Sequence, residues 1–257
     1  MTASHSDAAK EMAALLSAAR VPADKVDPFV VDGRRLAPEQ VIEILRPVMT
    51  EARLARIEAV VAGRTNTVVP VVEGLVNTGN VSAVMRSAEA LGYQSIHVVK
   101  GEHERFKHSE RTSRGAEKWL DLYRWEAPEP CVDYLRAEGY RVVAMHLDDG
   151  GVPIEEVDFT VPTALVFGNE ERGVSPAMLE AVDQSCIVPL SGFTESFNVS
   201  VAAAVALYHA RQDRLRRQGY HADLGEQERK ALVARFCMRS VRHAEAIIRR
   251  ALRASDG

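Results

Sequence analysis

The order of apolar and polar positions changes character near residue 63. Before it, Met12, Leu15, Leu16 and Ala19 recur at three and four, a proline-containing break spans residues 21–29, and Val41, Ile42, Leu45 and Val48 resume the period after Pro38. This predicts a helical N-terminal extension over residues 1–63. After Gly63 the chain alternates between short β-branched runs and amphipathic helices. Strands are predicted at residues 67–76, 95–99, 120–125, 140–145, 163–167 and 186–190. Between them, Val81, Val84, Met85, Ala88 and Leu91 mark one helix face closed by Gly92, and a further helix covers residues 130–138 with Gly139 as its stop. Ser175-Pro176 reads as an N-cap and first-turn pair. Residues 198–211 read as a helix apolar on nearly every side, and so as a buried one. Residues 226–252 read as one last helix, with Val233, Phe236, Val241, Ala244 and Ile248 on one side and arginines on the other. Strand and helix in alternation predict an α/β fold, a mostly parallel sheet with flanking helices. The expected division is 1–63, 64–217 and 218–257, the last a basic helical extension.

Size and composition narrow the class. The 257 residues are 46% apolar and 26% charged, near globular averages, so a fibrous or wholly disordered chain is excluded. The apolar stretch over residues 199–208 is too short for a membrane span, which needs roughly 20 residues. Charged residues interrupt the N-terminal alanines, where a secretory signal would run apolar. A cytoplasmic protein is expected. Three isolated cysteines, Cys131, Cys186 and Cys237, suggest neither a disulfide framework nor a zinc site, and no metal is expected.

The net charge of −4 hides a division. Residues 127–183 hold twelve acids against three arginines, whereas residues 209–253 hold twelve Lys/Arg against five Asp/Glu. A basic stripe on an acidic body suits a local polyanion contact, although a solvated helix face would give the same count. The chain also lacks the glycine-rich phosphate loops, the nucleophile elbow and paired metal-spaced histidines.

Three polar clusters remain, each at the end of a predicted strand, where an open α/β sheet binds its ligands. The first runs from Asn77 to Arg86, with Ser82 and Arg86 four apart on what should be an exposed helix face. Arg86 offers a planar fork of donors to a phosphate or carboxylate; a surface pair with Glu89 is the plainer alternative. The second runs from Leu165 to Ser175, where Gly168 and Gly173 bracket a charged turn. The third runs from Ile187 to Ala204, where Ser196 or Asn198 caps a helix; capping accounts for one of the two, not both.

In this order and spacing the clusters resemble the three signature motifs of the SpoU (TrmH-like) branch of the SPOUT superfamily of RNA ribose 2′-O-methyltransferases, over residues 53–217. The resemblance implies a deep C-terminal trefoil knot, a departure from the rule against knotted chains, with S-adenosylmethionine bound in the knot and a homodimer sharing its active site. It assigns catalytic roles to Arg86, Asn80, Glu170, Ser196 and Asn198, and cofactor contacts to Met145, Gly168, Val188, Leu190 and Phe197. Phe197 stands where the family usually has leucine. A guanidinium is almost always protonated, so Arg86 either needs strong desolvation to act as a base or acts by clamping an RNA phosphate and polarising the ribose hydroxyl. RNA contacts are expected from the loop residues Arg105, Lys107, Arg111, Arg114 and Lys118, and from Arg235, Arg239, Arg242, Arg249 and Arg250 of the last helix. The substrate implied is tRNA, at a D-loop guanosine, with ribosomal RNA as runner-up. A catalytically silent RNA-binding relative is the third reading.

Overall fold

The sequence pattern is realised in a computed structural model that describes residues 29–75, 78–101, 115–147 and 150–255. In chain order its elements begin with a two-stranded hairpin, β1 (Val30–Val31) and β2 (Arg34–Arg35), followed by helices α1 (Pro38–Leu45) and α2 (Glu51–Val61). Then come β3 (Val68–Glu73), α3 (Thr78–Leu91), β4 (Ser95–Val99), β5 (Asp121–Trp125), α4 (Pro128–Ala137), β6 (Arg141–Met145) and β7 (Val152–Pro153). The chain continues through β8 (Thr163–Phe167), α5 (Pro176–Ala181), β9 (Gln184–Ile187), α6 (Val199–Gln218), α7 (Glu226–Ser240) and α8 (Ala244–Ser255). The helix expected around residues 12–19 lies outside the described residues.

Strands β3 to β9 form one sheet in the order β5-β4-β3-β8-β6-β9-β7, every pairing parallel. A parallel sheet must be covered on both faces, and alternate residues of β3 show how. Val68 and Val72 point into a core shared with Val84, Met85 and Ala88 of α3 and with Ala203, Ala206 and Leu207 of α6. Val69 and Val71 point the other way, toward Cys131 and Leu135 of α4 and Met178 of α5. Helix α3 stops at Gly92, whose φ of 93° is the left-handed conformation that ends a helix without a Cβ penalty.

Two helix expectations are corrected. Helix α6 runs to Gln218, beyond residue 211, because Asp213 is an internal anchor: its buried carboxylate accepts from the Phe159 N–H at 3.1 Å and from Arg216 and Arg217, each at 2.7 Å. Nor is α6 covered all round. One side is buried, but Val201, Val205 and Tyr208 remain 47, 39 and 54% exposed along the other. The expected helix over residues 226–252 is two helices, broken where His243 takes a φ of 59°. The break turns Ala244 and Ile248 of α8 into a core that a straight continuation would miss.

Among the described residues the chain divides into two compact units, one over Thr65–His221 and the other joining residues 29–64 with residues 222–255. In the second unit α7 packs against α1 and α2, and α8 against α1 and β1. Arg53 on α2 donates to Ser240 on α7 at 3.3 Å, and Arg249 on α8 pairs with Asp32 at 2.9 Å. The described parts of the segments expected as separate extensions, residues 29–64 and 222–255, therefore fold together. Helices of 8, 11 and 12 residues are marginal alone, so each needs the others' apolar faces.

Candidate functional site

At the carboxyl ends of β6, β8 and β9 the sheet opens into a cavity of about 290 Å³. Met145, His146 and Leu147 follow from β6, the turn from Phe167 to Glu170 from β8, and Cys186, Ile187, Val188 and Leu190 from β9. Glu195, Ser196 and Phe197 close it from the loop before α6, and Val199 and Ala202 from that helix's first turns. The walls are mainly apolar, while Glu170 and Glu195 bring carboxylates and Ser196 a hydroxyl. Such a mixture suits a ligand with an aromatic part and a cationic part.

The turn after β8 is locked by its own backbone. Asn169 and Gly173 exchange hydrogen bonds at 2.8 and 2.9 Å. A Cβ on Gly168 would overlap the returning backbone of Gly173 and Val174, and Gly173 itself has a φ of 68°. Both glycines are thus required by the turn itself. The Asn169 amide donates to the Gly74 carbonyl at 2.7 Å, and its oxygen accepts from the N–H groups of Glu171 and Arg172. Buried Glu73, at the end of β3, accepts from the N–H and hydroxyl of Ser175, whose hydroxyl in turn accepts from the Met178 N–H to cap α5.

Of the ten residues expected at the catalytic and cofactor sites, seven line the cavity: Met145, Gly168, Glu170, Val188, Leu190, Ser196 and Phe197. Asn80 reaches it indirectly, its amide donating to the Glu170 carboxylate. Asn198 is the N-cap of α6, accepting from the N–H and hydroxyl of Ser200 at 2.9 and 2.6 Å. That leaves Ser196 outside the capping role. Arg86 is exposed on α3 and is not among the cavity's lining residues. Ser82 does not share its face, being fully buried in the first turns of α3.

A profile of the SpoU rRNA Methylase family matches residues 67–208, more than half the chain and all of the cavity. The chain belongs to this family. Among SpoU relatives, the tRNA (guanosine(18)-2′-O)-methyltransferase of Aquifex aeolicus is 30% identical over 77% of this chain and 94% of its own length. The enzyme of the same name from Thermus thermophilus is 36% identical over 65% of this chain and 86% of its own length. The solved A. aeolicus TrmH/SpoU tRNA modifying enzyme superimposes with a TM-score of 0.68 at 30% identity, covering 75% of this chain and 98% of that one. The SpoU methyltransferase AviRb of Streptomyces viridochromogenes, solved with AdoMet, superimposes at a TM-score of 0.55 and 28% identity, covering 60% and 62%.

In this SpoU-family chain the expected basic patches are less uniform than their sequence implies. Arg105, Lys107, Arg111 and Arg114 lie outside the described residues, and Lys118 sits over the Trp119 ring at 5.1 Å. The break at His243 separates Arg235 and Arg239 from Arg249 and Arg250, so the five arginines make no single row. Arg239 stacks over Phe236 at 5.9 Å and Arg249 is paired with Asp32, while Arg242 and Arg250 are exposed.

Sequence reasoning missed His146, Leu147 and Glu195 at the cavity, and the structural roles of Glu73 and Asn169. The signal for Glu73 was legible: a lone carboxylate ends a valine strand. Cys186 forms part of the cavity floor, 3.2 Å from the Met145 sulfur, and burial pushes its thiol up to about 12. Among the described residues no cluster of His, Cys, Asp or Glu could hold a metal, and no helix is long and apolar enough to cross a membrane.

Proposed function

We propose that this protein is an S-adenosylmethionine-dependent RNA ribose 2′-O-methyltransferase acting on tRNA, at the guanosine numbered 18 in its relatives' names, in the cytoplasm. The observation that carries this reading is one cavity lined from the second and third polar clusters, with Glu170 and Ser196 in the wall, to which the first cluster is joined by the Asn80–Glu170 hydrogen bond. The cavity fits the cofactor. Its apolar side, with Val188, Leu190 and Phe197, suits an adenine, and Glu170 and Glu195 suit the sulfonium and ammonium charges. When bound there, the cofactor supplies an electrophilic methyl group.

The chain's own residues then supply position and charge. Ser196, beside the cavity and free of the capping role, is placed to orient the ribose, and Asn80 fixes the Glu170 carboxylate. Arg86 clamps the neighbouring phosphate and polarises the 2′-hydroxyl, a role its exposure favours over that of a base. Because Arg86 stands outside the cavity's own lining, we take the site to be shared between two copies, each covering the α6 stripe of the other. We also take the chain around β9 and α6 to be threaded as a deep trefoil knot. Among the RNA contacts, Arg242 and Arg250 are best exposed for phosphates.

Incubation with S-adenosylmethionine and an unmodified tRNA transcript, followed by mass-spectrometric mapping of ribose methylation, tests this reading. Methylation at that guanosine is expected. Arg86→Ala should abolish transfer while cofactor affinity stays within about tenfold, under 1.4 kcal/mol, and Arg86→Lys should not rescue it. Half the wild-type turnover in Arg86→Ala would remove the arginine from the mechanism. A stable monomer in sedimentation at micromolar concentration would sink the shared site, and no cofactor binding in calorimetry would leave an RNA-binding protein. A ribosomal substrate is the second reading, favoured by a Bacillus subtilis 23S rRNA methyltransferase 35% identical over 54% of this chain and 56% of its own; the same mapping on ribosomal RNA separates the two.

A further inference from the structure

We infer that Phe193 is a stacking platform for a nucleobase of the RNA substrate, a positioning residue at the mouth of the cavity; the inference rests on the RNA methyltransferase reading above. Its ring is 108% exposed, the most exposed large apolar side chain among the described residues. It belongs to the loop over residues 191–198, all of it exposed. Glu195 and Ser196, two and three positions further on, line the cavity. At no more than about 3.6 Å per residue, the Phe193 Cα lies within roughly 11 Å of that of Ser196, the span of a single nucleotide. A ribose presented at Ser196 therefore brings a base within reach of this ring.

The loop's chemistry selects the base as the contact. Glu195 repels a phosphate, so the nucleotide backbone is disfavoured there, whereas every base offers a π-face to a phenyl ring. Single-stranded loops are commonly read in this way, with bases splayed out on aromatic side chains. A second copy of the chain is a poorer occupant. Phe193 is flanked by exposed Ser191, Gly192, Thr194 and Glu195, whereas Val201, Val205 and Tyr208 form a continuous apolar stripe suited to a protein face. A Cβ at Gly192 would meet only Thr194 of the same loop, at ordinary contact distances of 3.7 and 3.9 Å.

The test uses the full chain with Phe193→Ala, Phe193→Leu and Phe193→Trp. Affinity for an unmodified tRNA transcript is read by fluorescence anisotropy, and methyl transfer by initial rates against RNA concentration. Stacking predicts a loss of tRNA affinity and a rise in KM, each on the order of 10-fold to 100-fold, for Ala and Leu, with Trp retaining wild-type values. S-adenosylmethionine affinity and sedimentation should be unchanged in all three. Full recovery with Leu, unchanged tRNA affinity with Ala, or a shift of oligomeric state with Ala would each overturn the stacking role, the last in favour of a contact between copies. If the wild type binds tRNA but methylates no RNA, the methyltransferase reading fails, while the affinities of the three variants still decide whether Phe193 stacks a base.

Discussion

The turn after β8 and the loop after β9 look alike as sequence: each follows a strand, each holds glycine, and each is rich in polar and charged residues. In the structure they are opposites. The turn over residues 168–175 spends its polar groups on itself and on β3, through Asn169 to Gly74 and Ser175 to Glu73. The loop over residues 191–198 is exposed throughout and is anchored at its far end by the Asn198 cap. One is a rigid wall for a ligand. The other leaves side chains available to a substrate. Polar composition at a strand end therefore marks a site without saying which part is scaffold and which part makes contact.

The contrast is broken most forcefully at glycine. Gly168→Ala forces a Cβ into the backbone of Gly173 and Val174, and should cost about 3 kcal/mol or more, a Tm drop of roughly 6–12 °C by calorimetry for a protein of this size. Gly192→Ala, with its nearest neighbour at 3.7 Å, should fall within about 0.5 kcal/mol of wild type. Equal losses at the two positions would erase the distinction between the loops.

Next in size are the polar side chains. Asn169→Ala removes the part-buried bond to Gly74 and the turn's two bonds to the Glu171 and Arg172 N–H groups, so it should destabilise by about 2 kcal/mol and weaken cofactor binding in calorimetry. Ser196→Ala should do the reverse, leaving Tm unchanged while methyl transfer falls. Should Ser196→Ala unfold as readily as Asn169→Ala, Ser196 would be scaffold rather than contact.

Asn198→Ala removes the α6 cap and should cost about 1 kcal/mol, read as a lower denaturation midpoint at unchanged slope. The smallest effect is expected at Cys186. With its thiol pushed up to about 12 by burial, only about one molecule in 10⁴ carries a thiolate at pH 8, and iodoacetamide should leave it unlabelled in the native protein over the time that labels denatured chains. Rapid native labelling would show that the loop above the cavity floor opens far more than its Asn198 anchor allows.

The sequence alone determined what depends on near neighbours. Its short apolar runs matched the strands at residues 95–99 and 163–167 to the residue, Gly92 and Ser175 ended and began helices where capping chemistry requires, and seven expected site residues met at the cavity. Only the tertiary structure decided what depends on residues far apart in the chain. It buried Ser82, left one face of α6 exposed, bonded Asn80 to Glu170 across 90 positions, and joined residues 29–64 and 222–255 into one unit. It also broke the last helix at His243, since the direction of α8 is set by the surface of α1 and β1 against which it packs. Periodicity fixes which face of an element is apolar; what covers that face is settled by partners that no local window contains.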